Sequence, residues 1–404
     1  MARSHLTLAA LATAAIPNAG IIGSGPLTLG ETGDYDAALL RTDDGRELVA
    51  RTPLNDAAHA AQAIELLVLG SLTTGIRSRL PFDVPEVLGQ VASRSGRTVV
   101  TEYLPGRVIP GDALPPGDGP ATSMGIAVAA IHALPSGFVG EAGLPVLSAA
   151  ECRGEARSVI DRAVATRTLP TAVRERWLAA VADEAFWQFH PVVVNGTLSA
   201  ESFLLTEHEA GAVVSGVLGW SGLQVSDPAR DLRWVPATGP AAESVFASYE
   251  QHAVRAPDPY LRRRALLHAE LDLARWLLHG HDSHDSAIVA DAVQMLDALV
   301  DTVLSQQAAT LLSAEEPVLG VADVEALLTR TPDTVEPGSA AGAGPIDDVE
   351  DWRIDRPSSA ESDGSTGPIA TVPDAPDTAV SADSASNDAT GEGSVNPEGT
   401  TKPE

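Results

Sequence analysis

Apolar positions follow two rhythms along this chain, and the change between them falls near residue 105. Small and apolar residues run at helical spacing over 6–15 until Pro17 and the Gly-rich stretch behind it stop them. Three short runs of strand character follow at 27–29, 35–41 and 47–52. They are set apart by Glu31-Thr32-Gly33 and by the turn Asp43-Asp44-Gly45, while Gly23-Ser24-Gly25 ahead of them has the composition of a turn. Asn55 opens a long helix through Leu72, and two more strands at 86–91 and 97–103 lead into Leu104-Pro105-Gly106. Beyond that point a period near 3.6 dominates, at 121–134, 149–166, 171–188, 259–278 and 286–304, with a further short helix expected at 321–329. Phe186 and Trp187, at the end of the third of these, are expected in the core. The pattern predicts an α+β protein with a small β-rich lobe over 1–104, a mainly helical lobe over 105–312, and a short helix or linker over 313–330.

Composition changes at the end of the chain. Residues 331–404 carry 16 acidic against 3 basic side chains and few large apolar ones, too little apolar surface to offset the entropy of ordering, so a disordered acidic tail is expected there. Within it Trp352 and the aliphatics of 346–354 form an island suited to docking on a protein partner. The remainder is acidic as well, with 39 acids to 23 bases. That balance disfavours nucleic acid and anionic membrane, and is compatible with a cationic ligand or a basic protein. Cys152 is the single cysteine, which excludes an internal disulfide and suits a reducing cytoplasm. The Ala/Leu run near the N-terminus is too weakly apolar for a convincing signal peptide, so a cytoplasmic location is expected, and no apolar run is long enough to span a bilayer.

The candidate chemistry lies in 192–232, which runs VVVNGTLSAESFLL and, after a polar hairpin, VVSGVLGWSGLQVSDPARDL. This frame resembles the aminoglycoside phosphotransferase family, nearest its macrolide 2′-phosphotransferase branch. There a strand leads into HGDxHxGN or HGDxHxGH, and a later strand ends in IDW before DPAxD. The resemblance implies a two-lobed protein-kinase-like fold over about 2–312 that uses ATP or GTP with magnesium. It also implies where the chemistry should be. The positions of the acceptor-activating acid, of a metal-binding residue and of the magnesium-ligating acid are occupied here by Thr197, Ser202 and Gly219, and Asn195 replaces the motif's His. A threonine hydroxyl is no general base near neutral pH, and glycine offers a cation no side-chain ligand. Glu201, the one acid left in the loop, is a position away from the family's ligand.

Other positions keep the frame. Arg51, in ELVARTP, takes the place of a third-strand Lys, and the only lysine in the chain is Lys402. Glu65 is either its ion-pair partner or a surface acid on an amphipathic helix. By the same resemblance Thr32 and Gly33, with Glu31, belong to the loop that covers phosphates, and the backbone of Glu102, Tyr103 and Leu104 is the hinge for a nucleotide base. Asp227 is placed as a helix N-cap with Pro228 at the first helical position, and Asp231 matches the acid that braces the catalytic loop from behind. The expected function is therefore a degenerate phosphotransferase-like protein that binds a small molecule or protein in its interlobe cleft. The alternatives are a working ATP- or GTP-dependent O-phosphotransferase and an interaction protein acting through its tail.

Two further clusters have ordinary explanations. His279, His281, Asp282, His284 and Asp285 suit a polar connection between helices better than a metal site. Arg262, Arg263 and Arg264 read as a solvated helix face, or else as cations with an acidic neighbour.

Overall fold

The computed structural model describes residues 3–27, 33–93, 96–208 and 211–305. The expected helix at 321–329 and the acidic tail lie outside the described residues.

A five-stranded antiparallel sheet organises the first lobe: β1 (Ile21–Pro26), β2 (Tyr35–Thr42), β3 (Glu47–Pro53), β4 (Val87–Ser93) and β5 (Gly96–Glu102), in the order β1-β2-β3-β5-β4. Alternation along the strands gives the sheet two faces. Ala38, Leu40, Leu48, Ala50 and Val100 point one way and bury against Leu8 and Ala12 of α1 (His5–Ala15). Each leucine so buried contributes roughly 1.5–3 kcal/mol. Arg51 belongs to the opposite face, beneath α2 (Asp56–Ser71), whose N-cap Asn55 accepts from the Ala58 N–H at 2.8 Å. The buried stripe of α2 runs Ala58, Gln62, Glu65, Val68 and Leu69, so two polar side chains occupy an otherwise apolar face.

The first strand is not where apolar content put it. Gly23-Ser24-Gly25 lies within β1, paired to Arg41, Leu40 and Leu39 of β2, and is no turn. Leu27 follows the strand, and 28–29 lie outside the described residues. Partners from elsewhere in the chain supply the reason: the ladder to β2 and a His5 Nδ1···Ser24 Oγ contact of 2.9 Å hold a segment of poor strand propensity.

After α3 (Thr74–Arg77) and the hinge, the second lobe is built from α4 (Pro120–His132), α5 (Gly137–Glu141), α6 (Ala149–Ala165), α7 (Thr171–Ala182), α8 (Ala242–His252), α9 (Leu261–Asp282) and α10 (Ser286–Ser305). α4 and α8 cross closely at Gly125, where a side chain would run into the backbone of Val245 and Tyr249. A separate apolar cluster joins α6, α7, α9 and α10 through Ile160, Trp177, Leu267, Leu271 and Leu296. The helix expected over 171–188 stops at Ala182. Asp183 then accepts from the Ala185 N–H at 2.9 Å and opens a single 3-10 turn that carries Phe186 and Trp187 into the core. Between α7 and α8 lie two short antiparallel ladders, β6 (Val192–Val194) with β9 (Gln224–Ser226) and β7 (Phe203–His208) with β8 (Gly211–Val217). No helix among the described residues is long and apolar enough to cross a membrane.

Candidate functional site

The loop that follows β6 turns at Gly196, whose φ of 83° is in the left-handed region that suits glycine. The fully buried Asp231 holds it from behind, accepting from the backbone N–H groups of Asn195 and Gly196 at 2.7 Å each. His132 Nε2 lies 3.3 Å from the same carboxylate, and its Nδ1 lies 2.9 Å from the Tyr249 hydroxyl. Arg233 adds a donor to the Gly196 carbonyl at 3.2 Å. Asp231 thus bonds to the backbone of the loop from behind.

In front of the loop, the positions of interest bond to one another. The Thr197 hydroxyl lies 2.8 Å from the Gly219 carbonyl and 3.0 Å from Asn195 Oδ1, with one proton to donate between them. Asn195 Nδ2 donates to the same Gly219 carbonyl at 3.0 Å, and Asn195 Oδ1 accepts from the Thr197 N–H at 3.1 Å. Gly219 has a φ of 74°, and a Cβ there would meet only Thr197 Oγ1, at 3.9 Å. Packing therefore leaves room for a Cβ, and the positive φ strains any side chain placed there, an aspartate less than most. Ser202 Oγ accepts from the Ser199 N–H at 3.1 Å and so serves the local turn, and Glu201 is exposed.

Magnesium takes about six oxygen ligands in near-octahedral geometry, with carboxylates prominent. The residues present do not fit it. Thr197, Ser202 and Gly219 supply no carboxylate, and the Gly219 carbonyl already accepts from two side-chain donors. Among the described residues no group of three or more His, Cys, Asp or Glu could hold a metal ion.

On the N-lobe side, Glu65 is 5% exposed and pairs with Arg51, which removes the surface-acid reading. Its other oxygen accepts from the Trp220 N–H at 3.4 Å, so α2 reaches the segment next to Gly219. The Arg51 guanidinium lies over the Tyr35 ring, 5.4 Å from its centre. Burial raises the Tyr35 hydroxyl's pKa, Arg51 opposes the rise and Glu65 adds to it. Gly33 is exposed, with a φ of 62°, while Thr32 lies outside the described residues.

The hinge is partly committed already. The Glu102 N–H donates to Glu86 O and the Tyr103 N–H to Glu47 O, both at 3.0 Å. Glu102, Tyr103 and Leu104 line a cavity of about 1220 Å³ together with Arg46, Asp83 and His208, and neither Arg51, Glu65, Thr197 nor Gly219 borders it. The structure thus joins Arg51, Glu65, Asn195, Thr197 and Gly219 into one neighbourhood and places this cavity apart from it.

Behind the loop the reading of the Arg cluster as a solvated face fails at Arg264, while Arg262 and Arg263 are half-exposed. Arg264 is fully buried, donating to Asp227 at 2.9 Å and to Asp258 at 2.7 Å, and Arg262 pairs with Glu243 and Glu250. Asp227 caps its turn as expected, accepting from the Ala229 N–H at 3.0 Å, and also meets His268 Nε2 at 3.0 Å. Burial alone would raise the Asp227 pKa, but Arg264 and His268 hold it down to about 2. Burial lowers the His268 pKa against the pull of Asp227. The sequence held a signal for this: Arg264 and His268 lie four apart within the apolar stripe of α9, where an unpaired charge would be very costly. The histidine-rich stretch is also only partly a connection, since α9 continues through His279, His281 and Asp282. Ser283 to Asp285 make the link, with Asp285 accepting from the Ala287 N–H of α10 at 2.9 Å.

Comparison with known proteins agrees with this architecture. The profile described as "Phosphotransferase enzyme family" matches residues 32–267. The macrolide 2′-phosphotransferase MphH from Brachybacterium faecium, as apoenzyme, superposes with a TM-score of 0.60 at 24% identity, covering 72% of this chain and 98% of that one. The macrolide 2′-phosphotransferase type I gives 0.58 at 27% identity, covering 73% and 98%. Wild-type aminoglycoside 2′-phosphotransferase-IIIa, as its GDP complex, gives 0.59 at 17% identity with 73% and 98% covered. In sequence, the uncharacterized protein YcbJ of Bacillus subtilis (strain 168) is 24% identical over 210 residues, 50% of this chain and 67% of that protein.

Proposed function

The chain belongs to the phosphotransferase enzyme family, and from that premise we propose that it binds a small-molecule or protein ligand in its interlobe cleft without efficient phosphoryl transfer. Phosphoryl transfer asks a protein to position the reactants and to neutralise charge around the triphosphate. Two side chains that would supply this are replaced, and the observation that carries the reading is what their replacements do. The Thr197 hydroxyl lies 2.8 Å from the Gly219 carbonyl, so the positions of the expected base and the expected metal ligand bond to each other. A hydroxyl so engaged donates a proton and does not take one from an alcohol. Loss of a general base alone typically costs about 10²–10⁴ in rate.

The rest of the chain keeps what binding needs. Asp231 fixes the loop, Arg51 and Glu65 tie α2 to β3, and Glu65 reaches the Trp220 N–H. The solved structure at 27% identity is a macrolide 2′-phosphotransferase, so a hydroxylated macrolide is the first ligand to try.

The test pairs the native chain with Thr197→Asp/Gly219→Asp, the space at 219 admitting a Cβ at the cost of a positive φ. Phosphate transfer to macrolide and aminoglycoside acceptors is followed with ATP or GTP and magnesium. The native chain is expected to give no transfer above background and the double variant to gain it. Native turnover near 1 s⁻¹, ordinary for an enzyme, sinks the proposal.

A further inference from the structure

The polarity of α2 is reversed. A helix on a protein surface ordinarily turns its polar and charged residues to water, but here Gln62 and Glu65 face inward and the outward face is apolar. Successive turns present Ala60, Ala63, Ile64 and Leu67, with Ala57 and Gly70 toward the ends, all exposed. Ile64 is 44% and Leu67 50% accessible, and Leu54, just ahead of the helix, is 47%. From 57 to 71 the chain has neither Lys nor Arg, and its one acid is the buried Glu65. The 16 residues of α2 make this uncharged stripe about 24 Å long, on a chain of net charge −29. Contiguous exposed apolar surface of this kind marks an interaction site.

We infer that this face is a homodimer interface, in which the α2 helices of two copies pack antiparallel about a two-fold axis passing between Ala63 and Ile64. Residue size selects a second copy as the occupant. A two-fold at that point sets Leu67 of each protomer against Ala60 of the other, Ile64 against Ala63, and Ala57 against Gly70, so each large side chain meets a small one. The same arrangement lays each helix N-terminus beside the other's C-terminus, where the dipoles attract. Asp56, the one formal charge on this side of the helix, falls beside Ser71 at the edge of the contact. Other occupants fit less well. An anionic bilayer surface calls for basic residues flanking the apolar face, and α2 has none; a charged partner meets no opposite charge on the stripe. A single helix pair is a small contact, under the roughly 1,200 Å² of standard interfaces, so the dimer is reversible in the micromolar range. Two acidic copies repel, and salt tightens the dimer by screening that repulsion.

Sedimentation equilibrium of the full chain, from about 1 µM to about 1 mM, tests this. The native chain is expected to pass from monomer to dimer across that range, and at lower concentration in high salt than in low. Leu67→Glu, at a half-exposed position where the fold tolerates a charge, should weaken the dimer at least about tenfold, while Val254→Glu, exposed and outside α2, should leave it unchanged. A short thiol crosslinker fixes the register. Ala63→Cys should be joined into covalent dimers, because the two-fold brings both copies of that position together, whereas the two copies of Ala57→Cys lie about 20 Å apart along the helices and should not be joined. The native chain, whose Cys152 is buried, supplies the blank. A chain that stays monomeric throughout overturns the inference, whatever else then covers the face. So does a native-strength dimer in Leu67→Glu, a dimer that salt dissolves, or equal linking at 57 and 63. None of these outcomes bears on phosphate transfer, so the cleft reading stands or falls separately.

Discussion

The loop around Asn195–Ser202 has a neutral front and an ionic rear. In front, Thr197, Asn195 and the Gly219 carbonyl form a small uncharged cluster. Behind, Asp231 anchors the loop backbone, while Asp227, Arg264, Asp258 and His268 form a charged network in which Asp227 and Arg264 are wholly buried. The difference teaches that the geometry of such a loop and its chemistry depend on separate residues. Carboxylates bond to the backbone behind the loop, and positions 197 and 219 in front carry none.

The sharpest way to break this contrast is at the rear. Arg264→Ala strands Asp227 and Asp258 and should cost about 3–5 kcal/mol, the range for halving a buried ion pair, measured by urea denaturation. A loss under about 1 kcal/mol would mean that the rear network is dispensable. Asp231→Ala leaves the Asn195 and Gly196 N–H groups without their acceptor, and a loss of about 3 kcal/mol is expected, with faster hydrogen exchange at those two amides. Unchanged exchange there would show that something else holds the loop.

Acid should separate the two faces without mutation. Asp227 has a folded pKa of about 2, below its ordinary 3.8, so its contribution, about 2 kcal/mol, is present above pH 4 and is lost as pH falls toward 2. His268 is also depressed, by burial. Its contribution is complete above its ordinary value of 6.5 and declines as pH falls below that. Stability should therefore begin to fall below about pH 6.5 and fall again below 4, and His268→Gln should flatten the upper part alone. The front cluster contains no titratable group, so Thr197→Val should shift the whole curve down by about 1 kcal/mol and leave its shape unchanged. A changed pH profile in Thr197→Val would show that front and rear are coupled.

Much of this was legible from residue order because the signals are local. Asn55 and Asp227 sit where N-caps belong, and the α2 and α9 stripes follow the helical period. The frame from Asn195 to Asp231 marked Thr197, Gly219 and Asp231, and in the structure Thr197 bonds to the Gly219 carbonyl while Asp231 bonds to the loop backbone. Where reading failed, the determinant was distant in sequence. Gly23-Ser24-Gly25 is a strand because β2 pairs with it, and Arg264 is buried because Asp227, 37 residues earlier, is brought against it.

Residue order by itself determined the helical and strand periods, the caps, the family frame and the replacement of two carboxylates, since each depends on residue identity at short spacing. Tertiary structure alone decided which polar groups became partners. It buried Glu65 against Arg51, turned Thr197 onto the Gly219 carbonyl, and left Gln62 Nε2 and Arg51 Nε without a partner among the described residues. Hydrogen bonds and ion pairs form between groups a few ångströms apart in space, and only the folded chain sets that distance.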